Sequence, residues 1–307
     1  MTVCASGVLT LANLERWEAP GPSLAVLGHP IGHSLSPAMH HAALARLAEH
    51  EPEYRSWRYH KFDVPPEELG RALPMLHEKG FVGLNLTIPH KVLAVGLVER
   101  IEPFAAEAGA VNTLRRTATG YEGFNTDGYG IVQAVEAAFA QPVRGRPVVL
   151  LGAGGAARAA AAAFLRAGCG GLHIGNRSAG SLEELLARMR PVAAETGTDL
   201  RGFLFAQPPD DLPADALVVN ATSAGLRPDD PAPLDLVRLA GRPDVYDMIY
   251  NPALPPVLRE ARALGLRAAG GLSMLAHQGA RALERWTGRP VDAAVMLRAC
   301  EEALASR

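Results

Sequence analysis

Residues 148–160 read VVLLGAGGAARAA, and this stretch decides the fold. Its first four residues are apolar without alternation, the pattern of a short strand buried on both faces. Gly152, Gly154 and Ala157 follow in the spacing G-x-G-x-x-A. Gly152 permits a tight turn, Gly154 leaves room for a pyrophosphate at the backbone, and Ala157 lets helix and strand pack closely. The alanine-rich run behind them reads as a helix whose first amides are unpaired and lie at the positive end of its dipole. Gly152, Ala153, Gly154, Gly155 and Ala156 are therefore candidate dinucleotide contacts. A bare glycine pattern is weak evidence, and the plain alternative is a tight turn before an alanine-packed helix. The strand before it and the helix after it supply the context that the motif requires.

Working outward, GLHIGNR (171–177) is a second strand, ending in Asn176, Arg177 and Ser178. An enzyme using NAD usually places an acid there for the ribose hydroxyls. Arg177 can instead pair with a 2'-phosphate while Asn176 and Ser178 donate hydrogen bonds, which favours NADP. SLEELLARM (181–189) is a helix in which Ser181 and Glu184 fit a capping box. ADALVVNAT (214–222) and PDVYDMIY (243–250) are further strands, and PPVLREARALG (255–265) is a helix. Buried strands alternating with helices call for a parallel sheet covered on both faces.

The preceding half has its own alternation. SLAVLG (23–28) is a buried strand, and the helix beyond its loop has Ser36 as its cap and Pro37 at its first position. A strand is expected over Tyr54 to Phe62, and a helix over Pro66 to Lys79 with Leu69, Leu73 and Leu76 inward and a kink near Pro74. FVGLNLT (81–87) is another strand, and AVNTLRR with GYEGF forms a hairpin around TATG. A helix over Asn125 to Ala140 leads out of this unit, and the helices Ser273 to Trp286 and Val291 to Ala305 return to it. The expected fold class is α/β, with two α/β domains: residues 1–127 plus 271–307, and a Rossmann-type unit over 128–270, with a cleft between them.

Polar residues gather in the loops of the first domain. Ser34 and Ser36, two apart at a helix entry, make a cradle for a carboxylate or phosphate; a capping serine is the alternative. Asn85, Thr87 and Lys91 follow a buried strand, where the first two suit substrate hydroxyls and the lysine suits an acid or base. Asn112, Asn125 and Asp127 lie near the domain boundary. A turn-forming asparagine, a capping aspartate and a surface lysine are the bland readings of each taken singly.

Lys and Arg number 30 against 32 Asp and Glu, so no broad basic surface is offered to nucleic acid. Arg144 and Arg146 form the best local basic cluster. The three cysteines, Cys4, Cys169 and Cys300, match no metal spacing and suit a reducing cytoplasm. No signal segment or membrane span is expected. His29 and His33 span a Pro/Gly loop with no Glu between them, so no metal site is expected.

The ordered set GHPIGHSLSPAMH, GLNLTIPHK, GAVNTL, GFNTDGYG, GAGGAAR, NRS, DMIYNP and GLSMLAHQGA closely resembles the shikimate dehydrogenase family over about residues 24 to 297. The resemblance implies reversible reduction of 3-dehydroshikimate to shikimate with NADPH. It implies that Ser34 and Ser36 hold the substrate carboxylate and that Thr87, Lys91, Asn112, Asp127 and Gln278 surround the ring hydroxyls. Lys91 and Asp127 match the catalytic pair. Gly152 to Ala156, Asn176 to Ser181, Thr222, Met248, Tyr250 and Gly271 match cofactor positions, with Tyr250 also on the substrate side. Leu86, His41 and Ser178 depart from the family's usual valine, asparagine and threonine. Quinate is the alternative substrate, and a non-catalytic NADP sensor is the alternative class. The expected partner is a small molecule, with no nucleic acid and no membrane; oligomeric state is left open, a homodimer being one arrangement.

Overall fold

A computed structural model describes residues 7–18, 21–227, 229–239 and 241–306; Cys4 lies outside them. The chain passes through β1 (Val8–Leu9), α1 (Leu11–Glu15), β2 (Ser23–Gly28), α2 (Ser36–Leu47), β3 (Arg58–Asp63) and α3 (Leu69–Glu78). It continues through β4 (Phe81–Leu86), α4 (His90–Leu93), β5 (Arg100–Ile101), α5 (Pro103–Ala108), β6 (Thr113–Arg116) and β7 (Tyr121–Phe124). Then come α6 (Asp127–Phe139), β8 (Pro147–Leu151), α7 (Gly155–Arg166), β9 (Gly171–Asn176), α8 (Ala179–Thr196) and β10 (Leu200–Leu204). β11 (Leu217–Asn220), β12 (Asp244–Asp247), α9 (Pro256–Ala263), β13 (Ala268–Gly270), α10 (Leu272–Thr287) and α11 (Ala293–Ala305) complete the order. Two compact units result, one running to Thr126 and resuming at Ala276, the other spanning Asp127–Leu275. No described helix is long and apolar enough to cross a membrane.

In the first unit the strands form one sheet in the order β1-β3-β2-β4-β6-β7-β5, with β6 antiparallel to both neighbours. β2 lies inside it and is buried along its whole length, which explains its unbroken apolar run. Phe62, Phe81, Leu27 and Leu76 anchor the core on one face. On α10, Trp286 is seated on β4: a Cβ at Gly83 would lie 2.3 Å from its indole nitrogen. That nitrogen donates to the carbonyl of Leu114 on β6 at 2.8 Å.

Two local expectations are corrected here. The strand begins at Arg58 rather than Tyr54, because the amides of Tyr54 and Trp57 bond the carbonyls of Glu51 and Tyr54 in a 3₁₀ turn over Pro52–Ser56. Ser36 is the first residue of α2 and not its cap; its amide donates to the hydroxyl of Ser34 at 3.2 Å.

The second unit is a six-stranded, all-parallel sheet in the order β10-β9-β8-β11-β12-β13. Numbered within the unit this is 3-2-1-4-5-6, the doubly wound order, whose direction switches between β8 and β11. Ala157 and Ala159 to Ala163 of α7 are buried, and α6 packs against this helix. Ser181 and Glu184 do not form a capping box, since α8 starts earlier, with Ser178 at its cap position. Glu184 instead accepts from Arg158 of α7 at 2.8 Å, a partner remote in sequence.

Arg146 is also not a surface charge. It is 7% exposed and pairs with Asp244, itself 2% exposed. Arg267 grips the same carboxylate with two bonds of 2.6 Å and donates to the carbonyl of Phe139 at 3.0 Å. Removing one partner of such a buried set leaves a charge without compensation. Asp244→Ala is therefore expected to destabilise the protein by about 3–5 kcal/mol. Urea unfolding checks this, and an unchanged midpoint would contradict the role given to the pair.

Candidate active site

Every candidate residue in the second unit follows the carboxyl end of a strand. Gly152 leaves β8 at φ 118°, where a side chain is strained, and a Cβ would lie 3.0 Å from the carbonyl oxygen of Ala221 beyond β11. This close approach lies at the switch point of the sheet, where open α/β sheets hold ligands. Gly154 differs. Its φ of −78° suits any residue, and a Cβ there would meet nothing within 4 Å. The fold does not demand glycine at Gly154; a ligand approaching its amide does. Ala153 is buried, while Gly155 and Ala156 open α7, where free amides and the helix dipole meet.

At the end of β9, Asn176 donates to the carbonyl of Ser178 at 2.9 Å, and Arg177, Ser178 and Ser181 are exposed. Thr222 is fixed by Asn220, whose Oδ1 accepts the threonine amide at 3.0 Å and its hydroxyl at 2.7 Å. Asn220 in turn donates to Asp247 at 3.1 Å, and the other oxygen of Asp247 accepts the amide of Ile249 at 2.9 Å. Met248 and Tyr250 stand on this turn. A Cβ at Gly271 would lie 2.1 Å from the carbonyl oxygen of Met248, so only glycine lets β13 pass beneath the turn. Burial pushes the Asp247 carboxyl up to about 6, although its bonds from Ile249 and Asn220 pull the other way.

In the first unit, buried polar side chains join into one hydrogen-bonded row. Asn85 donates to the carbonyl of Asn112 at 3.2 Å and to the hydroxyl of Thr113 at 3.1 Å. Asn112 donates to Thr126 at 3.0 Å and to Gln278 of α10 at 3.2 Å, and its Oδ1 accepts the amide of Thr126 at 2.8 Å. Asn85, Asn112 and Gln278 are thus brought together, and both amide hydrogens of Asn85 are committed within the protein. Thr87 is admitted by Gly28, where a Cβ would lie 2.4 Å from the threonine methyl. Lys91 is half-buried in α4, and its carbonyl accepts the amide of Val111 at 2.8 Å, next to Asn112. Asn125 supports the frame by donating to the carbonyl of Ala110 at 2.9 Å. Asp127 is buried and opens α6 in the second unit.

The sequence reading missed Tyr59, Thr113, Thr126, Asn220 and Asp247. Asn220 and Asp247 carried a usable signal, a polar residue closing an otherwise buried apolar strand. Tyr59 carried none, because it lies in mid-strand among charged residues. Among the described residues no group of three or more His, Cys, Asp or Glu side chains could hold a metal ion.

A doubly wound sheet with a glycine turn at its switch point, together with a lysine beside a row of buried amides, defines a class: the dinucleotide-dependent α/β dehydrogenases. Residues 26–114 match the model of the shikimate dehydrogenase substrate binding domain, and 271–301 that of the shikimate 5'-dehydrogenase C-terminal domain. The chain is 42% identical over 286 residues to the shikimate dehydrogenase (NADP(+)) of Symbiobacterium thermophilum, covering 90% of this chain and 92% of that one. It is 40% identical to that of Moorella thermoacetica, covering 92% and 93% of the two chains. The Thermus thermophilus shikimate 5-dehydrogenase, solved with NADP(H) and shikimate, superposes with a TM-score of 0.76 at 37% identity, covering 92% and 99%. This chain belongs to the shikimate dehydrogenase family.

The two kinds of glycine separate by substitution. Gly154→Ala should change stability by about 1 kcal/mol or less yet weaken dinucleotide binding. Gly152→Ala should destabilise by about 1–3 kcal/mol through backbone strain alone. Melting and cofactor titration of both variants check this, and a Gly154→Ala protein with undiminished affinity would contradict it.

Asp247 gives a pH-dependent expectation. Its folded pKa of about 6 lies above the ordinary 3.8, so the stability it contributes is complete below 3.8 and is lost as pH rises through about 6. The melting temperature of the natural protein minus that of Asp247→Asn should therefore fall with rising pH and level off above about pH 6. A difference that rises with pH would refute this assignment.

Proposed function

We propose that this protein interconverts 3-dehydroshikimate and shikimate, using NADP(H). The observation that supports this most directly is the row of buried amides at Asn85, Asn112 and Gln278 with Lys91 anchored beside it. A row of oriented donors and acceptors suits a polyhydroxylated ring, and the lysine supplies the one strong cation.

In the proposed reaction Ser34 and Ser36 hold the substrate carboxylate, while Thr87, Asn112 and Gln278 read ring hydroxyls. NADPH, when bound, supplies the hydride that reduces the ring ketone. The ammonium of Lys91 stabilises the negative charge that develops on the ketone oxygen and donates the proton that completes the alcohol. Asp127 orients Lys91, accepts a hydrogen bond from the neighbouring hydroxyl and returns the proton to the relay. In the reverse direction Lys91, having lost its proton, takes the hydroxyl proton as hydride leaves the carbon. Asn85 serves as framework, holding Asn112 rather than the ligand.

On the cofactor side, the amides of Gly152 to Ala156 face the pyrophosphate and Met248, Tyr250 and Gly271 border the nicotinamide. Thr222 lines the same crevice. Arg177, exposed at the end of β9 where an acid would repel a 2'-phosphate, pairs with that phosphate, and Asn176, Ser178 and Ser181 add hydrogen bonds.

Purified protein given NADP+ and shikimate is expected to generate the near-ultraviolet absorbance of NADPH, faster than with quinate or with NAD+. Absence of NADPH would overturn the proposal. Lys91→Ala should lower kcat at least about 100-fold with little change in KM. An unchanged kcat would remove Lys91 from the chemistry.

A further inference from the structure

Tyr59 of β3 is buried, and every side of it is held. Its amide donates to Nε2 of His41 at 3.0 Å. His40 stacks on its ring with centroids 4.0 Å apart, and that imidazole's Nδ1 bonds the carbonyl of Ser36 at 2.9 Å. The Tyr59 hydroxyl lies between Oδ1 of Asn85, at 2.7 Å, and the hydroxyl of Ser36. His41 thereby gains a role: the residue that departs from the family's usual asparagine pins the strand at Tyr59.

Counting hydrogens fixes the direction of this chain. Both amide hydrogens of Asn85 are already given to Asn112 and Thr113, so its Oδ1 can only accept. Tyr59 therefore donates to Asn85, and its own oxygen accepts from Ser36. In the free protein the hydroxyl of Ser36 is thus oriented by a phenol that is itself fixed by a fully committed amide. The serine oxygen stays in one place, one bond rotation away from donating to an incoming anion.

We propose that Tyr59 is a positioning residue for substrate binding, setting the Ser36 hydroxyl for the carboxylate of the ring acid. The inference rests on the reading of Ser36 given above. A fixed serine lowers the ordering that binding requires, so Tyr59 acts on affinity and leaves the hydride and proton steps alone.

Tyr59→Phe should raise KM for shikimate about five- to twenty-fold, the range of one hydrogen bond to a charged group less than fully lost, with kcat within about twofold. Two readouts separate positioning from general damage to the fold. In a Ser36→Ala background the same substitution should add almost nothing to KM, because its route to the carboxylate is already cut. For the methyl ester of shikimate, which lacks the anionic charge, the penalty should shrink towards one. His41→Ala offers a milder route that leaves Ser36 and Asn85 intact. It should raise KM in the same direction, and His41→Asn, which keeps an acceptor, should restore it; this pair carries the test if Tyr59→Phe does not fold. An equal KM penalty in the Ser36→Ala background, an equal penalty for the ester, or an unchanged KM would each overturn the positioning role while natural-protein activity persists. A natural protein that neither turns over nor binds shikimate would overturn the functional reading as well.

Discussion

A parallel strand buried on both faces has nowhere to place a polar side chain except at its ends, and the amide at its carboxyl end is where the chain must turn. Both units obey this constraint. In the second, Gly152, Asn176, Thr222, Met248 and Gly271 each stand at or just beyond the carboxyl end of β8, β9, β11, β12 or β13. In the first, Ser34 and Ser36 follow β2, while Thr87 and Lys91 follow β4. Thr113 opens antiparallel β6 opposite Asn85, which brings Asn112 to the same edge of the sheet. The chemistry is collected at one edge because the interior excludes it.

That constraint also explains what was legible in the sequence. Strands with long apolar runs, such as 23–28 and 148–151, declare themselves, and so does the glycine turn that one of them feeds. β10 and β13 do not: β10 is a partly exposed edge strand containing Arg201 and Gly202, and β13 is the short run Ala268–Gly270. The capping box at Ser181 and Glu184 failed for a different reason. A local motif competes with every other partner for a carboxylate, and Arg158, buried on the neighbouring helix, took Glu184. Arg146 likewise read as surface charge because nothing local announces Asp244, which lies 98 positions away in sequence.

The candidate site was legible at the level of residue types and less so at the level of roles. Asn85 reads as a ligand contact because asparagine after an apolar strand suits a hydroxyl. Its hydrogens are spent on Asn112 and Thr113, so it acts on the neighbours that face the ligand. Buried amides cannot be left half-satisfied without large cost, so a row of them must close on itself before it can face anything else. Sequence spacing names the members of such a row but not which member keeps a free donor.

Glycine identity divides along the same line. At Gly152 and Gly271 the protein's own backbone forbids a side chain, with carbonyl oxygens at 3.0 Å and 2.1 Å from the position a Cβ would take. At Gly154 the protein forbids nothing, and the space lies beside the first amides of α7. A residue whose restriction the fold does not explain points outward, to what the fold was built to receive. Tyr59 shows the converse: nothing about it faces outward, yet the hydrogens it exchanges with Asn85 and Ser36 reach the edge where the ligand would lie. The boundary between framework and site is therefore set by which donors and acceptors remain uncommitted, and that count requires the structure.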